Sequence, residues 1–100
     1  QDSLIQNTFS VQQSSDSVFL AFNPELMNDS SNFPNGRMLY VHLEDDEGKL
    51  SASFQLSVEN RARYYFYQRD PEFEGMMRVW FAGYLWEERI EQLVNEKSRP

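Results

Sequence analysis

The sequence contains no cysteine and a single histidine, and these two shortages exclude whole classes of chemistry. Without cysteine there are no disulfides, thiol nucleophiles or thiolate metal ligands. The lone histidine, His42, lies on a predicted strand and lacks the second ligand or base partner that a metal site or an activated nucleophile needs. We therefore predict no catalytic residue, no metal and no cofactor, and a protein that is not an enzyme.

Long hydrophobic runs and positive charges are also scarce. The longest apolar-rich stretch, 76–86, is interrupted by Arg78, and it falls well short of the roughly 20 residues of a membrane-spanning helix. We predict no membrane span. Nine Lys and Arg stand against 16 Asp and Glu, a net charge of −7, which disfavours nucleic acid because phosphate binding depends on cations. The chain begins with Gln1 and not with Met, which indicates a processed product or an excised piece; the compartment stays open, with the cytoplasm slightly favoured.

The chain is long enough for one soluble globular domain, since 40% of its 100 residues are hydrophobic. The Gln- and Ser-rich segment 1–17 is predicted to be a polar tail or an edge strand. Residues 98–100 are predicted to be a second tail, which leaves 18–97 as the domain. Within it, the apolar run VFLAF at 18–22 has the length of a strand, and two prolines with several Asn, Asp and Ser indicate a loop over 23–36.

A strict alternation of apolar and polar residues predicts an antiparallel hairpin made of strands 37–44 and 49–59. Its apolar side chains fall on one face of each strand: Leu39, Val41 and Leu43 in the first, and Leu50, Ala52, Phe54, Leu56 and Val58 in the second. This pattern is typical of strands with one buried and one solvated face. Gly48 suits the positive φ of the short loop between them.

The last third of the chain fits two patterns. One straight helix from 71 to 97 would bring carboxylates onto its own apolar face. The segment therefore forms either two helices broken near Gly83, or a strand over 76–85 followed by one helix. Both alternatives keep a helix at 86–97. The predicted fold class is α+β, an antiparallel β-meander of four or five strands with a C-terminal helix packed on one face.

The stretch RARYYFYQRD, at 61–70, places four consecutive aromatic rings among three arginines. As a strand over 62–69 it has two faces, and the face with Tyr64 and Phe66 is predicted to lie in the core. The opposite face comprises Arg61, Arg63, Tyr65, Tyr67 and Arg69. We predict that this second face binds a partner, because Tyr and Arg are enriched where protein interfaces gain most of their binding energy.

The Met- and Trp-rich segment 76–86 is a second predicted contact surface. Its large side chains exceed what one face of a small core needs, and such a surplus marks oligomer seams and partner grooves. Trp80 and Trp86 are the residues predicted to bind a partner there.

Four consecutive carboxylates occupy the predicted hairpin turn: Glu44, Asp45, Asp46 and Glu47. Their spacing is not that of an EF-hand calcium loop. They form either a solvated turn or an acidic contact for a basic partner.

Surplus amphipathic surface without a catalytic constellation predicts a regulatory or protein–protein interaction domain. Its partner is another protein, or the chain itself as a homodimer. Two alternatives stay open. One is an acidic inhibitor or immunity-type protein that blocks a basic cleft, and the other is a single-stranded nucleic-acid binder that stacks bases on its tyrosines.

Overall fold

The described part of the chain folds into two antiparallel β-sheets with two short helices beside them. The computed structural model describes residues 2–14, 16–34, 36–58 and 63–92. Its elements, in chain order, are α1 (Asp2–Thr8), β1 (Phe9–Gln13), β2 (Ser17–Phe22), α2 (Pro24–Met27), β3 (Met38–Asp45), β4 (Leu50–Ser57), β5 (Tyr64–Gln68), β6 (Gly75–Phe81) and β7 (Tyr84–Ile90). The predicted α+β class with antiparallel strands is confirmed.

The strands divide between two sheets. Sheet A has the order β1-β2-β5 and sheet B has the order β4-β3-β6-β7. Because β5 pairs with β2 and not with β4, the chain leaves sheet B after β4 and returns to it at β6. The prediction of one meander of four or five strands is wrong on this point, since alternation shows which residues share a face and not which distant strand they pair with.

The core lies between the inward faces of the two sheets, whose buried side chains form one hydrophobic cluster. Val18 and Leu20 of sheet A are completely buried, as are Met77 and Val79 of sheet B. Burial of each such side chain contributes about 1.5–3 kcal/mol. The core therefore depends on alternate positions of both sheets.

The predicted hairpin forms as β3 and β4, within one or two residues of the expected bounds. The predicted buried face of β3 is confirmed, because Leu39, Val41 and Leu43 are each 1% exposed. The corresponding face of β4 is only half-buried, since this strand lies at the edge of sheet B. The tight turn between the strands includes Gly48 with φ +89°.

The strand alternative for 76–85 is confirmed over 76–81 by β6, but residues 82–83 form a turn and 84–85 begin the next strand. The helix predicted at 86–97 is wrong where the structure describes it. Residues 84–90 form β7, which pairs with β6 through the turn at Ala82 and Gly83. Trp86 and Ile90 are four positions apart, a spacing that shares a face in a helix and in a strand alike. The pattern therefore did not discriminate between them. Residues 93–97 lie outside the described part of the chain.

The polar N-terminal segment carries α1 and then β1, an edge strand of sheet A. Ile5 and Phe9 are buried, so this segment contributes to the core. The predicted loop 23–36 contains α2, whose N-cap Asn23 accepts a hydrogen bond from the Leu26 N–H at 3.2 Å. Neither described helix is long and apolar enough to cross a lipid bilayer.

Candidate interaction surface

Three exposed aromatic rings stand together on the outer side of sheet A. Phe19 of β2 is 37% exposed, and Tyr64 and Phe66 of β5 are 59% and 48% exposed. The register sets Phe19 directly opposite Phe66, and their ring centroids are 5.0 Å apart. Tyr64 meets the other side of Phe19 in an edge-to-face contact at 5.8 Å. The rings therefore form one continuous patch centred on Phe19.

Among the residues that the structure describes, the outward positions around these rings are uncharged. Its outward positions are Ser10, Gln12, Phe19, Ala21, Tyr64, Phe66 and Gln68, which we call the uncharged face. None of these side chains carries a charge at neutral pH, although a quarter of the chain is Asp, Glu, Lys or Arg. The buried centres of protein interfaces are depleted of charge and enriched in aromatic residues. The composition of this face is that of an interface centre.

The predicted grouping of alternate residues on β5 is correct, but the predicted direction of the two groups is reversed. Tyr65 and Tyr67 are partly buried and pack against the core, whereas Tyr64 and Phe66 are exposed. The reason is the pairing with β2, which sets Tyr65 opposite the buried Leu20. Burial, with a smaller contribution from Tyr67, raises the pKa of Tyr65 above its ordinary value of 10.0.

Arg69 is structural and is not part of an exposed contact face, contrary to the prediction. It is 4% exposed, and its guanidinium donates to the Gln13 side-chain oxygen at 3.1 Å and to the Phe73 carbonyl at 3.0 Å. It also donates to the carbonyl oxygens of Asp70 and Glu91. A buried arginine is tolerated here because neutral oxygens from several segments satisfy its N–H groups.

Of the two other arginines predicted for this face, the structure describes Arg63. Arg63 is exposed and lies 3.8 Å from the carboxylate of Glu25, where each group screens the charge of the other. Arg61 lies outside the described residues. The aromatic patch is therefore bordered by an ion pair at Arg63, and neither described arginine of the prediction, Arg63 or Arg69, adds an unpaired exposed cation to it.

The outer face of sheet B is mixed in character. Tyr40 and Trp80 lie opposite each other on β3 and β6 and are 45% and 38% exposed. His42 packs edge-to-face on Trp80, with ring centroids 4.7 Å apart. Beside them, Arg78 forms ion pairs with Glu44 and Glu87. We call this the ion-paired face.

Trp86 does not share this exposure. It is 2% exposed and packs on Phe9 with ring centroids 5.8 Å apart. Its predicted place in a contact surface is wrong, because on a strand it points to the core side of β7, opposite the buried Val79.

The predicted acidic turn is largely engaged within the protein. Glu44 pairs with Arg78, and Asp45 accepts hydrogen bonds from the Glu47 and Lys49 N–H groups at 3.0 and 2.8 Å. Asp46 accepts two hydrogen bonds from Arg89 at 2.6 and 2.7 Å, and these hold its pKa below the ordinary value of 3.8. Glu47 is exposed.

The fold brings further carboxylates close to this turn. The sequence alone did not indicate that they would lie there. The loop between β5 and β6 brings Asp70, Glu72 and Glu74 to the same cleft of about 570 Å³, together with three of the turn's carboxylates. The Asp46 N–H donates to the Glu74 carbonyl at 3.0 Å and ties the two loops together.

Phe19 is the surface residue that the sequence did not identify. In VFLAF both faces of the strand are apolar, so alternation alone cannot show which ring points outward. The polar Ser17 shares its alternation with Phe19 and Ala21, but it is itself buried at 8% exposure, so its polarity does not indicate the outward face. No protein-family model, curated protein or solved structure matches this chain.

Proposed function

We propose that the protein is a non-enzymatic protein–protein interaction domain and that its docking surface is the uncharged face. The observation that supports this most directly is the contact of three exposed rings, Phe19, Tyr64 and Phe66, on a sheet face without charge. Burial of such rings against a partner gains hydrophobic free energy without desolvating any ion. Tyr is also among the residue types that most often supply the binding energy of interfaces.

The ion-paired face supports docking less well. Trp80 is already in contact with His42, and a partner covering it would also cover the pairs that Arg78 makes with Glu44 and Glu87. Removing these charged groups from water has a desolvation cost, and the attraction within the existing ion pairs does not fully offset it. The uncharged face carries no such cost.

A second candidate function is the docking of a basic partner in the acidic cleft, as an inhibitor of a basic site would do. It is favoured by one observation, the convergence of six carboxylates from two loops on one cleft. Lys49 lines the same cleft, and Arg89 pairs with two of the six, Asp46 and Glu74. Glu47→Lys combined with Glu72→Lys reverses two exposed charges there. Binding of a lysine-rich peptide at low salt should then be lost, and unchanged binding would contradict this function.

The structure favours single-stranded nucleic acid least. Stacking platforms combine rings with cations that hold the phosphates. On the described part of β5 the exposed rings and the arginines are separated, because Arg69 is buried and Arg63 lies beside Glu25.

Site-specific photo-crosslinking tests the proposed function. Phe66 is replaced by p-benzoylphenylalanine, and a control protein carries the same group at Leu85 on the ion-paired face, which is similarly exposed at 47%. In cell extract, position 66 should form a discrete crosslinked protein adduct that position 85 does not form. Excess unlabelled wild-type protein should compete for the adduct, whereas the Tyr64→Ser/Phe66→Ser variant should not.

The absence of any adduct from position 66, or equal adducts from both positions, would overturn the assignment of docking to the uncharged face. Circular dichroism of every variant should match the wild type, since the substituted side chains are exposed.

A further inference from the structure

We propose that the partner of the uncharged face is a second copy of this chain, so that the protein forms a two-fold symmetric dimer with Phe19, Tyr64 and Phe66 at its centre. This inference rests on the proposed function, because it names the occupant of the same surface. It also predicts the symmetry of the complex and the dependence of its dissociation constant on salt.

The lack of charge on this face disfavours a strongly charged occupant. A basic protein or a nucleic acid gains from electrostatic complementarity, and the uncharged face offers neither sign for it to meet. The face is instead complementary to another neutral, aromatic surface. A second copy of the chain carries such a surface and is present at the same concentration.

Charge also selects the face. Each copy carries a net charge of −7, so two copies repel each other, and carboxylates on the surfaces that meet would add to this repulsion. The acidic cleft and the ion-paired face both bring Asp or Glu side chains to the contact. Among the described surfaces that expose aromatic rings, the uncharged face avoids this repulsion at the interface.

The arrangement of the rings suits a two-fold axis. In an isologous interface each residue meets the same patch of the other copy. Phe19 lies between Tyr64 and Phe66, with both neighbouring rings inclined to it, at 69° and 53°. A second set of rings can therefore meet these edges and faces in the inclined or offset contacts that aromatic pairs prefer.

The dimer has a distinctive salt dependence. The repulsion between the two net charges acts outside the interface, where ions screen it, and the Debye length falls from about 14 Å at 0.05 M to about 4 Å at 0.5 M salt. The dissociation constant should therefore decrease several-fold over this range. Binding of a basic partner to the carboxylates would weaken over the same range.

Sedimentation equilibrium of the purified protein at 0.05, 0.15 and 0.5 M NaCl tests the proposal. The wild type should show a monomer–dimer equilibrium that tightens with salt. The Tyr64→Ser/Phe66→Ser variant should raise the dissociation constant at least about tenfold, and the control Tyr40→Ser/Leu85→Ser on the ion-paired face should leave it unchanged. A wild type that stays monomeric at all three salt concentrations, or a dimer that the control weakens equally, overturns the proposal.

The same crosslinking protein separates this proposal from the one on which it rests. In purified form, p-benzoylphenylalanine at position 66 should yield a covalent dimer. If it yields none but still forms an adduct with a different protein in cell extract, the second copy is wrong and the docking function stands. If it forms no adduct in either setting, both are wrong.

Discussion

The ring of Tyr65 lies flat on the ring of Phe54, with centroids 3.7 Å apart and planes inclined by 19°. Tyr65 belongs to sheet A and Phe54 to sheet B, and the two strands that carry them do not pair. Next to this stack, the Ser51 and Tyr67 hydroxyl oxygens are 2.9 Å apart, within hydrogen-bond distance. Side-chain contacts therefore join the two sheets at this edge. Because Tyr65 and Tyr67 point towards sheet B to make these contacts, the alternate residues Tyr64 and Phe66 point outward.

The first prediction is that Phe54 and Tyr65 are energetically coupled. Phe54→Leu and Tyr65→Leu should each destabilise the fold, and the double variant should lose less than the sum of the two, by about 0.5–1.5 kcal/mol. Urea denaturation of the four proteins measures this coupling. The pair Phe54 and Leu85, which lie on opposite faces of sheet B, is the control, and its effects should add. Additive losses for Phe54 and Tyr65 would show that the stack contributes only by burial.

The extent to which the sequence predicts this fold can be followed on β3, β5 and β7. On β3 the alternation is unambiguous because only one face is apolar, and its buried residues were predicted correctly. On β5 both faces carry rings, and the arginines favour the wrong face as the exposed one. The burial of Arg69 depends on carbonyl oxygens at Phe73 and Glu91, which only the tertiary structure brings to it.

For β7 the limit lies in the periodicity itself. Trp86 and Ile90 satisfy a helix and a strand equally, and pairing with β6 decides between them. The candidate site is likewise not predictable from local periodicity. Its three rings come from β2 and β5, more than 40 positions apart, so a local pattern contains no sign that they meet.

The second prediction concerns Arg69. Arg69→Met removes the donors to oxygens of Gln13, Phe73 and Glu91, of which the bond to Phe73 is fully buried and the other two are part-buried. An unsatisfied buried polar group costs about 1–3 kcal/mol. We expect the free energy of unfolding to fall by at least about 2 kcal/mol. The matched control Arg63→Met removes an exposed arginine with a 3.8 Å ion pair and should change stability by less than about 0.5 kcal/mol.

Arg69→Lys distinguishes the charge from the geometry of its donors. Lysine keeps the positive charge but cannot direct several N–H groups in a planar fork. We expect its stability to lie close to that of Arg69→Met. Wild-type stability for Arg69→Lys in the same urea titration would show that the charge alone is sufficient.

The third prediction concerns the turn between β6 and β7. Ala82 has φ 53° and Gly83 has φ 84°, values that belong to a two-residue turn of type I′. Asparagine tolerates the left-handed conformation better than alanine, so Ala82→Asn should stabilise the protein by about 0.5–1 kcal/mol. Ala82→Val should destabilise it, because a β-branched side chain is strained at positive φ. The same sign of change for both variants in thermal unfolding would contradict the turn assignment.

The fourth prediction concerns acid. Hydrogen bonds from Arg89 lower the pKa of Asp46 in the folded protein, whereas in the unfolded chain the carboxyl titrates near its ordinary value. The folded state thus binds this proton less tightly, so the contribution of Asp46 to stability is complete above about pH 5 and is lost as the pH falls through the folded pKa. Asp46→Asn should lower Tm at pH 6, and its difference from wild type should shrink towards zero near pH 2. Glu47→Gln, on the same turn with an exposed side chain, is the control and should follow the wild type throughout. A Tm difference for Asp46→Asn that does not change between pH 6 and pH 2 would mean that the ion pair with Arg89 does not stabilise the fold.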